Sequence, residues 1–371
     1  MPYEDGEQPP TYIPNLPPDL EAWMYEPSID FEVTAKGMAA TTQKWETLRT
    51  FFTHKGYTLY TPEGRTLNQK PPTTLDRARD DLFVFPYARK FVDKEDDFLF
   101  RCNSPYVRAA RDALGREVVI KLVSDGKKTT ELDFLKFLNT KKARADPRNH
   151  TIPVIEFITL EKYAFVVMPR WSNPCYPLGF DTVEEVLNFA RIFFEAFAFL
   201  HDNRIAHFDF LEQNAAVNAL YTSSRARQGT IPGLRDPASV RYALIDFSCS
   251  SMYPLDVPLD DARDTREVRS GMIAIRDPVV EPYNPFAVDF HSCADIIEQW
   301  TRHIENIVPD LGPFFDKITT INYKRGSQAS EALQSFMEIY SKLSPSTLRQ
   351  EIGTWRWRSG TSEPKPWLTN S

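Results

Sequence analysis

The sequence predicts an α+β fold, in which a strand-rich first half precedes a helix-rich second half. Two observations carry this prediction. Between about residues 97 and 170, short runs rich in β-branched and aromatic residues alternate with turn signals, as strands do. After Pro169, the segment from Val183 to His201 carries apolar side chains over a broad face, which is typical of a buried helix.

The elements follow in chain order. Residues 1–20 hold six prolines and are predicted to form a flexible arm. Residues 21–96 are predicted to form an N-terminal extension, either a small preceding module or an elaboration packed on the next domain. The extension contains amphipathic spacing near 44–52 and a strand over 57–60. Further strands are predicted over 98–102, 106–110, 117–123, 153–160 and 164–168, with a helix over 130–138. We therefore expect a strand-rich domain over 97–170, a larger helical domain over 171–345 and a tail over 346–371.

Composition and charge exclude several classes of protein. A hydrophobic content of 42% in 371 residues is enough for a full core. The net charge of −7 argues against a nucleic-acid binder that relies on bulk electrostatics. The four cysteines stand far apart, which supports neither a zinc site nor a disulfide framework. With no signal-peptide pattern and no apolar stretch of membrane-spanning length, we expect an intracellular protein, cytoplasmic or nuclear, with no membrane contact.

Three motifs stand in order along the chain. They are Val-Val-Ile-Lys121, then His207-x-Asp209-x-x-x-x-Asn214, then an apolar strand that ends in Asp246-Phe247. Together they resemble the eukaryotic protein kinase superfamily over about residues 97–340. The segments Asn-His-Thr-Ile-Pro and Val-Met-Pro-Arg-Trp further resemble a divergent group of fungal kinase-like proteins. This resemblance implies a bilobal fold, with a small β-rich N-lobe and a larger helical C-lobe.

The resemblance also implies a site for ATP. Lys121, which projects from a strand, would bind the α- and β-phosphates, and such a cation needs an anion to hold it. Glu131 fits the position of that anion, with Asp133 as the alternative. Met168 occupies the position before the hinge of the family, and Arg170 would lie along the adenine edge.

The second and third motifs contain the other residues to which the resemblance gives a role. Asp209 would accept or orient the proton of the acceptor hydroxyl. Asn214 and Asp246 would supply oxygen ligands to Mg²⁺. His207 is interpreted as a structural brace of the loop. By resemblance, Asp289 would bond to the backbone of the catalytic loop.

Several positions depart from the family pattern. The stretch 99–107 holds no glycine where a glycine-rich phosphate loop is expected. Phe208 replaces the catalytic-loop arginine, so control by activation-loop phosphorylation is not expected. Leu211 stands where Ser/Thr kinases have a lysine, which removes a positive charge from the transition state. Ser248 replaces the glycine after Asp246-Phe247, and no clear Ala-Pro-Glu motif follows.

Three functions remain open at this point. The first is a divergent protein kinase that transfers the γ-phosphoryl group of ATP to a Ser or Thr hydroxyl of a protein substrate. The second is a pseudokinase, a scaffold with weak or no turnover, which the missing glycines and Leu211 favour. The third is a small-molecule phosphotransferase of the aminoglycoside or choline kinase type. Likeness of fold alone does not separate the three.

Overall fold

The computed structural model describes most of the chain in fourteen stretches. The described residues are 13–14, 16–73, 76, 78–79, 83–91, 98–102, 104–127, 130–175, 179–222, 230–265, 282–320, 328–353, 355–357 and 365–366. The chain divides into two compact units, which are described separately. Unit 1 comprises Met1–Leu132, Pro153–Trp171 and Asn218–Thr222. Unit 2 comprises Asp133–Ile152, Ser172–Val217 and Ser223–Ser371.

The helices and strands of the described residues are numbered along the chain. The helices are α1 (Phe31–Thr47), α2 (Arg49–His54), α3 (Thr130–Leu138), α4 (Lys141–Ala145), α5 (Val183–Asp202), α6 (Pro285–Thr301), α7 (Leu311–Ile318), α8 (Ala329–Ser341) and α9 (Pro345–Leu348). The strands are β1 (Tyr57–Leu59), β2 (Thr61–Pro62), β3 (Gln69–Lys70), β4 (Arg89–Lys90), β5 (Val107–Asp112), β6 (Glu117–Ser124), β7 (Glu156–Leu160), β8 (Tyr163–Pro169), β9 (Ile205–Ala206), β10 (Ala215–Val217), β11 (Ala219–Leu220), β12 (Tyr242–Leu244), β13 (Ser251–Met252), β14 (Trp355–Arg356) and β15 (Lys365–Pro366).

Unit 1 is built on a five-stranded antiparallel sheet with the order β1-β5-β6-β8-β7. The hairpin between β5 and β6 turns at Gly115, whose φ of 76° is a left-handed conformation that suits glycine. Side chains alternate between the two faces of a strand. Val118, Ile120 and Leu122 therefore share one face of β6, whereas Val119 and Lys121 share the other.

The first of these two faces is covered by aromatic side chains of α1 and α2. Trp45 of α1 and Phe52 of α2 pack with Phe165 of β8, and the ring centroids lie 5.2–6.2 Å apart. All three side chains are buried. Burying large aromatic side chains against a sheet is among the strongest contributions to the stability of a domain. Residues 31–54, predicted to lie in an extension, thus form part of the core of unit 1.

The connection between β1 and β5 differs from the sequence-based expectation. A strand was predicted over 98–102, yet the neighbour of β5 in the sheet is β1, and the two are joined by residues 60–106. Within 98–102, only Phe100 pairs as an isolated bridge, with Gln69. The carbonyl groups of Phe98 and Leu99 accept hydrogen bonds from the Arg170 side chain, which holds this segment against the residue that follows β8.

The start of the chain was predicted to be a flexible arm. Residues 1–12 lie outside the described residues. Further along, the backbone nitrogen of Ile13 donates to Glu161 and that of Leu20 donates to Asp125, each at 3.0 Å. The side chain of Ile13 is buried in the core of unit 1. At least this part of the arm is packed, because its apolar side chains and backbone donors find partners in the unit.

Unit 2 is dominated by helices, as the predicted order of elements requires. Thr182 caps the start of α5 by accepting a hydrogen bond from the backbone nitrogen of Glu185. The buried face of α5 presents Phe189 and Phe193 to Tyr242 of β12, and Phe193 also contacts Phe210. These contacts fix β12 and the segment that precedes β10 onto α5. None of the described helices is both long and apolar enough to cross a membrane.

Candidate functional site

In unit 1, the predicted lysine and glutamate meet as an ion pair. Lys121 Nζ lies 2.6 Å from Glu131 Oε1, and both side chains are about 90% buried, with 11% and 10% exposure. Lys121 projects from β6, and Glu131 lies in the first turn of α3. The alternative partner, Asp133, is exposed. A buried ion pair of this kind holds the lysine in one position, because moving either side chain away would leave the other charge buried without its partner.

Met168 lies on the same face of the sheet as Lys121. The register pairs Val119 with Met168 and Lys121 with Val166. Of these side chains, Val119, Lys121 and Met168 are only partly buried, whereas the opposite face of β6 and β8 is fully buried. This face is therefore the part of the sheet that is able to receive a ligand beside Lys121. Binding of a nucleotide there stays a prediction.

The guanidinium group of Arg170 forms three hydrogen bonds within unit 1. Nη1 donates to Tyr60 Oη at 2.9 Å and to the Phe98 carbonyl at 3.1 Å, and Nη2 donates to the Leu99 carbonyl at 3.2 Å. Tyr60 Oη in turn donates to Glu117. Burial raises the pKa of Tyr60 far above its ordinary value, so this hydroxyl stays protonated as a donor. The side chain of Arg170 thus holds the 98–100 segment, and its proposed contact with an adenine edge stays a prediction.

In unit 2, Asp209 and Asn214 are joined within one loop. Asn214 Nδ2 donates to Asp209 Oδ2 at 2.8 Å and to the Asp209 carbonyl at 2.7 Å. The amide oxygen of Asn214, which is the atom able to bind a cation, accepts no hydrogen bond from any residue in the described part of the chain. The arrangement orients one carboxylate and one amide oxygen at the same place in the loop.

The start of this loop is held by Asp289 of α6, as the resemblance implied. Its two carboxylate oxygens accept hydrogen bonds from the backbone nitrogens of His207, at 2.8 Å, and Phe208, at 2.6 Å. His201 Nε2 also lies 2.9 Å from Oδ2. Phe208 has a φ of 62°, a conformation that costs a bulky residue roughly 1–3 kcal/mol. The buried carboxylate keeps the strained backbone in place.

His207 acts as a brace, because both ring nitrogens bond to backbone. Nε2 donates to the Ile245 carbonyl at 3.1 Å, and Nδ1 accepts from the backbone nitrogen of Asp209 at 3.3 Å. The ring also contacts Phe247, with centroids 5.0 Å apart. The histidine therefore connects the loop to the strand that ends before Asp246.

Asn214 and Asp246 lie at the same end of a two-stranded ladder. β10 pairs with β12 so that Ala215 faces Leu244, and the Ile245 nitrogen donates to the Asn214 carbonyl at 3.0 Å. Asp246 follows directly, with a φ of 65°. Mg²⁺ is usually bound by one or two protein side chains together with substrate phosphates, and this pair of oxygen ligands fits that pattern. No group of three or more His, Cys, Asp and Glu suited to a metal occurs among the described residues.

The positions that depart from the family pattern are partly described. Leu211 is half-buried, and Ser248 is exposed, with its backbone nitrogen 3.3 Å from Asp246 Oδ1. Residues 266–281, which include most of the stretch searched for an Ala-Pro-Glu motif, lie outside the described residues.

A second set of contacts on the loop was not predicted from the sequence. Glu212 Oε1 accepts from Trp300 Nε1 at 3.0 Å and from the guanidinium of Arg356. No motif signals these contacts, because the three residues are far apart in sequence and only the fold brings them together. The available signal was the presence of three tryptophans in the tail, Trp355, Trp357 and Trp367, because side chains of this type are costly to leave exposed to water. Trp357 is partly buried, whereas Trp367 lies outside the described residues.

Comparisons with known proteins were made against families, curated sequences and solved structures. No protein-family model matches the chain. No curated protein matches it either. Among the solved structures that match is one described as "Crystal structure of Rad53 kinase domain and SCD2", at 17% sequence identity and a TM-score of 0.40, covering 67% of this chain and 89% of that one.

Proposed function

We propose that the chain is a divergent protein kinase, which transfers the γ-phosphoryl group of ATP to a Ser or Thr hydroxyl with Mg²⁺. The observation that carries the proposal is the buried ion pair between Lys121 and Glu131. A strand lysine that is fixed by a helix glutamate is what phosphate binding requires in this superfamily. The Asp209–Asn214 contact and the adjacent Asp246 support the same conclusion in unit 2.

Each side chain has a defined task in this proposal. Lys121 would bind phosphate oxygens, with Glu131 keeping its ammonium group in place. Asp246 and the amide oxygen of Asn214 would hold Mg²⁺, which neutralises negative charge on the phosphates. Asp209, oriented by Asn214, would accept the proton of the attacking hydroxyl, a contribution worth typically 10²- to 10⁴-fold in rate.

A pseudokinase is the second candidate, and one structural observation favours it. The first two strands of the sheet are joined by residues 60–106 rather than by a short glycine-rich turn. Such a turn normally presents backbone N–H groups to phosphates. A chain without it would keep the fold and bind nucleotide weakly or not at all.

Thermal unfolding with ATP, with and without Mg²⁺, separates the two candidates. Ligand binding to the folded state stabilises it by about 2.7 kcal/mol at a hundredfold excess over Kd. We expect a magnesium-dependent rise in the midpoint of the wild type, which Lys121→Met and Asp246→Asn abolish. The matched controls are Lys136→Met and Asp310→Asn, both at exposed positions, which should retain the rise.

Phosphotransfer from labelled ATP to a set of Ser/Thr peptides then tests catalysis. Asp209→Asn should bind Mg·ATP like the wild type and transfer phosphate about 10²-fold more slowly or worse. A midpoint that does not move at millimolar nucleotide would exclude the kinase proposal and favour the scaffold. A magnesium-dependent rise without any transfer would also favour a pseudokinase.

A further inference from the structure

The loop that contains Asp209 and Asn214 is attached to helix α6 at two points. Asp289, in the second turn of α6, holds the backbone of His207 and Phe208. Trp300, in the last turn, donates from Nε1 to Glu212 Oε1 at 3.0 Å. The rise along α6 between these two residues is about 16 Å. The loop is therefore held near its start at His207 and again at Glu212, two residues before Asn214.

The second attachment is completed by a segment far along the chain. We call residues 355–357 the carboxy-terminal strap. The Arg356 guanidinium donates to Glu212 Oε1, which also accepts from Trp300, and lies 5.0 Å from the centroid of the Trp300 ring. The Arg356 side chain is 14% exposed, so the ion pair is screened by water less than a surface pair. The backbone of Glu212 is bonded as well, since Asn173 Nδ2 donates to its carbonyl at 2.9 Å.

The strap itself is fixed to the end of α6. The backbone nitrogen of Trp357 donates to the Gln299 carbonyl at 2.9 Å, and the Arg302 guanidinium lies 4.6 Å from the Trp357 ring centroid. Arg302 is in turn held by Glu298 at 2.7 Å. Arg356 therefore reaches Glu212 from a backbone that is hydrogen-bonded to α6.

We propose that Glu212 is a positioning residue for Asp209 and Asn214, and that Arg356 of the carboxy-terminal strap holds it in place. Glu212 lies between the two functional residues and begins the short 3₁₀ turn that ends at Asn214. Fixing Glu212 fixes that turn, and through it the Asn214 amide that orients Asp209. The inference rests on the proposed function for its catalytic consequence, whereas the mechanical coupling of strap to loop does not depend on it.

Hydrogen exchange of the nucleotide-free protein tests the coupling directly. In Arg356→Gln, backbone amides of residues 208–217 should exchange about tenfold faster than in the wild type, as expected for loss of a hydrogen bond between charged groups. Arg356→Lys, which keeps the charge, should restore most of the protection. Glu212→Gln keeps an acceptor for Trp300 but loses the charge, and should match Arg356→Gln. Arg148→Gln, which removes more exposed ion pairs with Asp146 and Asp202 elsewhere in unit 2, is the control and should leave 208–217 unchanged.

The catalytic consequence is measured separately. Arg356→Gln should lower kcat for phosphotransfer about three- to tenfold and leave KM for ATP nearly unchanged, with recovery in Arg356→Lys. Unchanged exchange in 208–217, or equally faster exchange throughout unit 2, would overturn the coupling. If no variant transfers phosphate while the exchange pattern is as expected, the proposed kinase function fails and the coupling stands.

Discussion

At the scale of single residues, Asp289 shows how one side chain maintains a local conformation that the sequence does not favour. Phe208 adopts a positive φ, which is uncommon for a large side chain, and no glycine relieves it. The carboxylate of Asp289 compensates by accepting two backbone hydrogen bonds in the interior of unit 2. The conformation of Phe208 therefore depends on the charge of a residue about eighty positions later.

Replacing that carboxylate should destabilise the protein and disturb the loop. We expect Asp289→Asn to lower the free energy of unfolding by about 2–4 kcal/mol, because an amide is a weaker acceptor and presents a donor to one of the backbone N–H groups. Chemical denaturation measures the change.

Asp295→Asn is the matched control on the same helix. Burial raises the pKa of the Asp295 carboxyl, so its charge is already disfavoured and its removal should cost less than about 1 kcal/mol. Equal losses in the two variants would contradict the role given to Asp289.

At the scale of elements, the sheet of unit 1 contains strands that the sequence pattern predicted and one strand pairing that it did not. The alternation in 106–110, 117–123 and 164–168 predicted strands that the structure confirms as β5, β6 and β8, with shifts of one or two residues at the ends. The strand at 57–60 was also recognised, but it was placed outside the sheet. Its partner is far away in sequence, and pairing over that distance has no local signal.

Amphipathic spacing was noted only over 44–52, which covers the end of α1 and part of α2, and it was assigned to the extension. Amphipathic spacing shows that a helix has a buried face, and it does not show which surface covers that face. The same limit applies to the site. Lys121, Glu131, Asp209, Asn214 and Asp246 were chosen from motifs, whereas the contacts of Glu212 with Trp300 and Arg356 arise only from the fold.

A pair of phenylalanines tests whether α1 and α2 belong to the core of unit 1. Phe52→Ala should lower the free energy of unfolding by about 3–5 kcal/mol, as expected for a large side chain removed from a packed core. Phe31→Ala, on a residue that is 75% exposed, should change it by less than about 0.5 kcal/mol.

Denaturant titration of the two variants gives both values. Similar midpoints for Phe52→Ala and Phe31→Ala would show that these helices are not part of the core and would favour a separate preceding module.

At the scale of the whole molecule, the stability should depend on pH through a buried histidine. Burial lowers the pKa of His303 to about 4. The unfolded chain binds a proton at this residue below about pH 6.5, whereas the folded chain does so only near pH 4. The unfolded state thus binds more protons between these values, so the contribution of His303 to stability is complete above pH 6.5 and is lost as the pH falls toward 4.

The measurement compares the wild type with His303→Gln in denaturant between pH 7 and pH 4. The loss of stability over this range should be smaller in the variant by about 3 kcal/mol. Parallel pH profiles would indicate that His303 is hydrated in the folded protein and keeps its ordinary pKa.

The overall order of the chain was predictable, because an antiparallel sheet precedes a group of helices as the α+β class requires. The division of the chain into two compact units was harder to predict from the sequence. Unit 1 draws on three separate stretches of sequence, the last of which contributes β11 as a partner of β4. No motif in the sequence marks such returns of the chain to an earlier unit.

The long connection between β1 and β5 has a consequence for how the sheet assembles. The loop-closure entropy of bringing β1 to β5 across roughly fifty residues exceeds that of the short β5–β6 turn by about 2 kcal/mol. The strands β5 to β8 are linked by shorter connections and can associate first, leaving β1 to join as the last strand at an edge. No short turn brings β1 to β5, so the place of β1 at this edge depends on the packing of its buried side chains, Tyr57 and Leu59, in the core of unit 1.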